Sequence, residues 1–281
     1  MKIEEAMNQI SRKLLTVTAA ASLVTLTACG QSIENPPALS EIEDAMWESM
    51  QQEESVTITA DIEALSESVS DEGDMFTEML GSDATEVKIY GDLDGSTTGM
   101  SIGGEDLMRV FEQQEAYFAG DVIFNLFGGQ DLGLGGAEQE IFDSMSEEFA
   151  NTWIDVSNEL GAEADEFNIG SLLTSLEDGW KGDSESDDSP VRRDEISDQG
   201  SHEVRDEQDV WVYQGSEEGQ ELVLEANFDA PKIVAIADGE NLMNFSDWSA
   251  TEGPQRPDES EVIDEAEFEE RMMQSILGGG M

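Results

Sequence analysis

The fold is constrained most by strand-like segments that follow one another without a long helix between them. The clearest segment covers 56–64, where apolar residues alternate with polar ones at every second position. A period of two residues predicts a β-strand with one apolar and one solvated face. The segments 87–93 and 96–102 flank Asp94-Gly95, a dipeptide typical of a hairpin turn. This part of the chain is therefore predicted to form antiparallel strands.

Further strand and helix patterns occur along the rest of the chain. Strands are predicted at 107–111, 116–124, 153–156, 196–205, 210–213, 221–227, 232–237 and 241–248. Helices with one apolar side are predicted from Ser40, as N-cap, to 47, and at 141–149, 169–176 and 261–277. Because strands and helices do not alternate regularly, we predict an α+β fold with about nine or ten antiparallel strands.

The first 28 residues have the composition of an export signal. Basic residues lie at the front, an apolar stretch covers 14–28, and small residues stand at its end. A retained transmembrane helix needs roughly 20 apolar residues, and this stretch is shorter and contains several threonines. We therefore predict a signal peptide at 1–28.

The signal ends in a motif that resembles the bacterial lipobox, made of Leu26, Thr27, Ala28 and Cys29. The resemblance implies cleavage before Cys29 and a diacylglyceryl group on its thiol, with palmitate among the expected acyl chains. Two acyl chains hold a protein stably at a membrane, at about 0.8 kcal/mol per buried methylene. A buried core thiol is the alternative reading of this lone cysteine. We predict a lipoprotein at the extracytoplasmic face of the cell membrane.

The remaining chain divides by composition into three parts. Residues 29–40 contain Pro36 and Pro37 and are predicted to form a flexible tether. Residues 41–250 hold the strand patterns and are predicted to be the folded domain. Residues 251–281 are predicted to be a proline-containing linker and an amphipathic C-terminal helix.

The chain is strongly acidic, with 66 acidic and 12 basic residues and a formal net charge of −54. Such a surface repels nucleic acids and anionic head groups, so nucleic-acid binding is not expected. Self-repulsion weakens as salt shortens the screening length from about 10 Å at 0.1 M to about 3 Å at 1 M. Adaptation to a salty habitat and cation binding are both open as explanations of the acidity.

The sequence contains few groups that would support catalysis or metal binding. His202 is the single histidine, has no cysteine nearby, and is predicted to be a solvated strand residue. The glycine-rich segment 128–136 precedes Glu138 and Glu140, which would oppose a bound anion at a helix N-terminus. The segment 92–96 is only partly similar to a calcium loop and fits a hairpin turn better. We predict no enzymatic activity, no cofactor and no metal site.

Three segments, in this order, resemble parts of one known fold: an aromatic strand at 115–120, a tryptophan strand at 151–156, and a closing strand at 245–248. With the order of the other elements over roughly 45–248, they resemble the LolA-like superfamily, in particular actinobacterial LppX/LprG-like lipoproteins. The resemblance implies a curved antiparallel sheet, an incomplete barrel, with helices covering its concave face and acyl chains held between them.

The resemblance also implies a function, which is to bind or carry lipid or glycolipid across the cell envelope. A carrier needs an apolar cavity with adaptable walls, and the chain has 13 Met and 11 Phe residues to line one. We predict that the cavity mouth is bordered by residues in loops beside glycines, namely Met75, Phe76, Met79, Leu80, Phe124, Leu126 and Phe127. The alternative function is that of an envelope sensor or regulator that binds a protein partner.

Overall fold

The computed structural model of the chain describes residues 32–61, 86–121, 144–160, 168–182, 192–239 and 241–278. The predicted signal peptide, the lipobox with Cys29 and all of the predicted cavity-mouth residues lie outside these ranges. Within the described ranges, no helix is both long enough and apolar enough to cross a membrane.

The described residues form four helices and one sheet of twelve strands. The helices are α1 (Leu39–Gln51), α2 (Ser157–Leu160), α3 (Ile169–Lys181) and α4 (Glu265–Gly278). The first six strands are β1 (Ser55–Asp61), β2 (Glu86–Asp92), β3 (Thr97–Ile102), β4 (Glu105–Phe111), β5 (Glu115–Ala119) and β6 (Trp153–Asp155). The other six are β7 (Ile196–Arg205), β8 (Gln208–Gly215), β9 (Glu221–Glu225), β10 (Ile233–Asp238), β11 (Asn241–Ser246) and β12 (Val262–Asp264).

The sheet is unclosed and has the order β12-β6-β5-β4-β3-β2-β1-β11-β10-β9-β8-β7. Most neighbours are also consecutive in the chain, as expected for strands joined by short turns. The exception at the centre is β1, which pairs with both β2 and β11, so that Ile58 lies between Ile89 and Phe245. Every pair is antiparallel except β12 with β6, which is parallel. The predicted α+β class and antiparallel sheet are therefore confirmed, with more strands than predicted.

Helices α1 and α3 pack on one face of this sheet, which we call the helix-covered face. The face carries the row Ile58, Ile89 and Phe245, together with Trp211 further along the sheet. The largest buried cluster of the described chain lies between this face and the two helices. Burial of such apolar side chains stabilises the fold by about 25 cal/mol per Å² of apolar surface.

Several strands are buried on both faces, as their continuous apolar sequences predict. In β8, Trp211 and Tyr213 point to the helix-covered face and are 0% exposed. Val210 and Val212 point to the opposite face, where they form a small cluster with Val223 and are at most 1% exposed.

Two local predictions are wrong. Ser40 is not the N-cap of α1, because the helix begins at Leu39 after Ala38, and the Ser40 hydroxyl instead donates to Asp198. The last predicted helix was to begin at 261, but residues 262–264 form strand β12 and α4 begins only at Glu265. In both places a contact with a distant part of the chain determines the local structure.

Candidate functional site

A cavity lies between α1, α3 and the turn that joins β2 to β3. Its volume is about 140 Å³. It is lined by Trp47, Met50, Gln51, Leu93, Gly170, Leu173, Thr174 and Glu177. The lining of the cavity therefore combines apolar side chains from both helices and the turn with polar side chains from the two helices.

The position of α3 over the hairpin depends on Gly170. A Cβ atom at residue 170 would lie 2.3 Å from the backbone oxygen of Leu93, closer than real atoms approach. The start of α3 is fixed by two further contacts. The Asn168 side chain accepts from the Ser171 N–H at 2.8 Å, and the Ile169 N–H donates to Thr98 Oγ1 at 3.3 Å. The N-terminal turn of α3 can thus rest directly on the β2–β3 hairpin.

Trp47 is the aromatic wall of the cavity. The side chain is 6% exposed, and its ring meets Trp180 of α3 edge to face, with centroids 6.4 Å apart. The Trp47 Nε1–H is buried and has no hydrogen-bond acceptor in the described part of the structure. A buried donor left without a partner costs about 1–3 kcal/mol, so this one requires an explanation.

A polar contact at the rim of the cavity joins the two helices. Gln51, the last residue of α1, donates from Nε2 to Glu177 Oε2 of α3 at 2.7 Å. Lys181 forms an ion pair with the same carboxylate, one helical turn later. The hydrogen bond with Glu177 is the main reason why the pKa of Lys181 is raised. The C-terminal end of α1 is therefore held to α3 by side chains near the surface.

Hydrogen bonds and ion pairs hold the N-terminal end of α1 to the edge strand β7 and the residues just before it. The Ser40 N–H and hydroxyl donate to the two Asp198 carboxylate oxygens, at 2.8 and 2.9 Å. Arg193 binds both Asp198, at 2.7 Å, and Glu43 of α1. The hydrogen bonds from Ser40, assisted by Arg193, hold the pKa of Asp198 below its ordinary value. Polar contacts thus hold both ends of α1, and the apolar side chains between these ends pack in the buried cluster.

The segment before α1 is attached to the helix-covered face as well. The Trp211 indole donates to the Ile33 carbonyl at 2.9 Å, and the Tyr213 hydroxyl donates to the Pro37 carbonyl at 3.0 Å. Burial, with the nearby charge of Asp198, raises the pKa of Tyr213. Ile33 and Pro37 lie within the predicted tether, so only the residues before Ile33 separate Cys29 from these contacts.

A second depression, of about 560 Å³, lies on the opposite face of the sheet over β1 to β4. Its lining is polar and includes Lys88, Tyr90 and Asp106. The Tyr90 hydroxyl donates to Asp106 at 3.0 Å, and Arg109 pairs with the same carboxylate at 2.6 Å. Burial, followed by the charge of Asp106, raises the pKa of Tyr90 to about 12. This network joins β2 to β4.

The residues that the sequence analysis considered for catalysis or metal binding form contacts within a strand and a turn. His202 lies in β7 as predicted, but it is only 20% exposed and contacts Asp209 at 2.8 Å. The segment 92–96 forms the predicted turn, in which the Gly95 N–H donates to the Asp92 carbonyl at 3.1 Å. Within the described ranges, no group of three or more acidic, His or Cys side chains is arranged to hold a metal ion.

The sequence did not single out the cavity-lining residues. Trp47 and Leu173 were recognised only as members of apolar helix sides, and Leu93 only as part of a strand. Spacing does not distinguish a side chain that borders a cavity from one that fills a core. The predicted mouth residues all lie outside the described ranges, so the structure brings none of them to this cavity.

Compared with known proteins, the sequence matches no protein-family model and is not significantly similar to any curated protein.

Proposed function

We propose that this chain is an exported lipoprotein, anchored through Cys29, that binds a lipid between the helices α1 and α3 and the sheet. The observation that carries the proposal is the cavity bordered by Trp47, Met50, Leu93 and Leu173. Lipid chains need a site with apolar walls, which these four side chains supply, whereas Gln51, Thr174 and Glu177 make the rest of the lining polar.

The volume of the cavity indicates how a lipid would be accommodated. About 140 Å³ is small beside the roughly 300–1,000 Å³ typical of small-molecule sites. In this conformation the cavity takes a short alkyl segment, and a longer chain requires α1 and α3 to move apart. The methionines Met46, Met50 and Met243 lie in the same cluster and adapt their shape easily. A ligand that binds the open form better would shift the population towards it.

The helix-covered face is, in this proposal, the concave face of an incomplete barrel of the LolA-like kind. Two features support this assignment. The sheet is unclosed, and α1 and α3 pack against one of its faces. A lipid entering between these helices would be shielded from water by the helices and by the sheet.

Anchoring through Cys29 would hold the domain close to the membrane. Three residues separate Cys29 from Ile33, and the Ile33 carbonyl is bound by Trp211. The four residue steps from Cys29 to Ile33 span at most about 14 Å. Labelling cells with radioactive palmitate tests the anchor: the chain should incorporate label, the Cys29→Ala variant should not, and an unlabelled wild-type chain would contradict the anchor.

Lipid binding is tested on a form that begins at Gly30 and so keeps every residue that the structure describes. After purification without detergent, its organic extract is analysed by lipid mass spectrometry. We expect a lipid in stoichiometric amount, which the Leu173→Trp variant should lose because the larger ring fills the cavity. Leu242→Ala, at an exposed residue of β11, is the control that should retain it.

The result that would overturn lipid binding is a wild-type form whose extract contains no lipid above background. If that form instead recovers one envelope protein in a one-to-one ratio, the sensor or regulator function is the better interpretation.

A further inference from the structure

We infer that the polar depression over β1 to β4 is a second binding site, which takes a neutral, hydroxyl-rich ligand such as a sugar unit. The depression is separate from the lipid cavity, because Lys88 and Tyr90 alternate along β2 with Ile89, which packs on the helix-covered face. Its volume of about 560 Å³ falls within the roughly 300–1,000 Å³ of small-molecule sites.

Both walls of the depression are held in place by contacts within the protein. One wall is the sheet, where the Tyr90 ring lies over Gly99, so that a Cβ atom at residue 99 would come within 2.5 Å of it. The other wall belongs to the segment 247–252 after β11, whose Thr251 hydroxyl lies 2.9 Å from that of Thr57 in β1. A ligand would therefore meet walls that are already ordered, which lowers the entropic cost of binding.

The first argument for a ligand is Lys88, a cation without a carboxylate partner. Every other lysine and arginine of the described ranges forms an ion pair. Lys88 is half-buried and lines the depression, with Nζ 4.9 Å from the centroid of the Tyr90 ring. No carboxylate of the described residues lies within 4.0 Å of this nitrogen, although the chain has 66 acidic residues. The three N–H donors of Lys88 are therefore available to ligand oxygens.

The second argument is the hydroxyl of Ser101, which lies beside Lys88. The two residues are direct cross-strand partners on β3 and β2, so their side chains are neighbours on the same face. Ser101 is 6% exposed and lines the depression, and its hydroxyl has no hydrogen-bond partner among the described residues. The sheet thus presents two adjacent hydrogen-bonding groups that the described protein leaves unused.

The third argument is the charge of the lining, which favours a neutral ligand. Lys88 is the one cation among the described lining residues, and Asp106, Asp247 and Glu252 are the carboxylates. Arg109 pairs with Asp106, so a bound anion would face two carboxylates that no described cation neutralises. A bound cation would be repelled by Lys88. Hydroxyl groups can accept from the ammonium and donate to the carboxylates, and a sugar carries several of them.

The test is a titration of the full chain with Cys29→Ala, labelled with ¹⁵N, in which the backbone amide resonances of 88–90 and 250–252 are followed. The neutral probes are the methyl glycosides of glucose, galactose and mannose, and glucuronate is the anionic probe of similar size. We expect at least one neutral glycoside to move these resonances saturably, with a Kd in the millimolar range. Glucuronate should bind at least fivefold more weakly, because the carboxylates of the lining repel it.

Two variants remove the proposed donors. Lys88→Met deletes the ammonium but keeps a long side chain over Tyr90, and it should weaken glycoside binding about tenfold, the usual effect of a hydrogen bond from a charged group. Ser101→Ala should weaken it about three- to tenfold, as expected for a neutral hydrogen bond. Lys181→Met is the matched control, since it makes the same change in charge on α3, away from the depression. Its glycoside affinity should stay within twofold of the parent chain.

Three results would each overturn the inference. The first is that no neutral glycoside moves the resonances of 88–90 and 250–252, even at tens of millimolar. The second is that glucuronate binds as tightly as the neutral glycosides. The third is that Lys88→Met and Lys181→Met bind the glycoside equally well. None of these results bears on lipid binding, which the lipid analysis of the form beginning at Gly30 tests separately.

Discussion

Trp47 of α1 and Trp180 of α3 meet edge to face at an interplanar angle of 62°, and this contact joins the two helices over the sheet. The Arg193 guanidinium carbon lies 6.0 Å from the centroid of the Trp180 ring. Trp180 therefore connects three elements: α1, α3 and the segment leading into β7.

Replacing Trp180 by alanine should destabilise the protein by about 3–5 kcal/mol, the usual cost of deleting a buried large aromatic side chain. Trp180 is 5% exposed, so the deletion leaves a cavity that its neighbours fill only in part. Urea unfolding followed by circular dichroism measures the change. Met273→Ala, at a residue that is 56% exposed, is the control and should stay within about 0.5 kcal/mol. Equal stability of the two variants would show that the aromatic contact does not hold the helices.

Gly170→Ala should lower the stability, although glycine to alanine in a helix usually raises it by about 0.5–1 kcal/mol. The reason is the 2.3 Å distance between a Cβ at this position and the Leu93 oxygen, which forces α3 away from the hairpin. Urea unfolding measures the change, and a lower urea midpoint for Gly170→Ala than for the parent chain is the expected result. A stabilised Gly170→Ala protein would contradict the close approach of α3 to Leu93.

Tyr90 should make the protein sensitive to alkali. Its folded-state pKa is about 12 against an ordinary value of 10.0, since burial and Asp106 disfavour the phenolate. The unfolded chain therefore loses this proton first as the pH rises. The stabilisation is fully present below pH 10 and is lost between about pH 10 and 12. Tyr90→Phe should show a flatter dependence of the urea midpoint on pH in that window, whereas a parallel curve would refute the assignment.

The ion pair of Arg205 with Glu221 should stabilise the folded state at pH values where the Glu221 carboxylate is ionised. The hydrogen bond from Arg205 lowers the pKa of Glu221 below 4.5, so the folded state favours the carboxylate. The contribution is present above pH 4.5 and is lost as the pH falls through the lowered folded-state pKa. Because both side chains are partly exposed, we expect about 1 kcal/mol or less. The pH dependence of unfolding for Glu221→Gln, beside the exposed control Glu218→Gln, measures it.

The net charge of −54 predicts that salt stabilises the fold. Raising KCl from 0.1 to 1 M shortens the screening length from about 10 to about 3 Å and should raise the urea midpoint gradually. Cation binding, the other explanation of the acidity, predicts a saturable effect of millimolar Ca²⁺ at constant ionic strength. A midpoint that responds only to Ca²⁺ would favour cation binding over adaptation to salt.

The parts of the fold that depend on neighbouring residues were predictable from the sequence. The existence of strand β1, the Asp94-Gly95 turn and the bounds of β7 all follow from local patterns, because turn residues and side-chain alternation act over a few positions. The apolar sides of α1 and α3 were recognised for the same reason, and both helices bury them.

The parts that depend on distant residues were not predictable. β12 has three residues, too few for an alternating pattern to appear, and it forms because β6 offers an edge to it. Thr57 was expected on a solvated face, yet it is 5% exposed, since its hydroxyl meets that of Thr251 at 2.9 Å. The unpaired N–H of Trp47 is likewise invisible in the sequence, because it depends on which acceptors the fold brings near.

The pairing of β1 with β11 joins the two halves of the sheet, and it needs strands from opposite ends of the folded chain. β1 ends at Asp61 and β11 begins only at Asn241, and the hydrogen bond between Thr57 and Thr251 spans 194 positions. Closing so long a loop costs entropy and makes folding slow. Until β11 is in place, β1 keeps an unpaired edge, so the incompletely folded chain is exposed to edge-to-edge aggregation at the centre of its sheet.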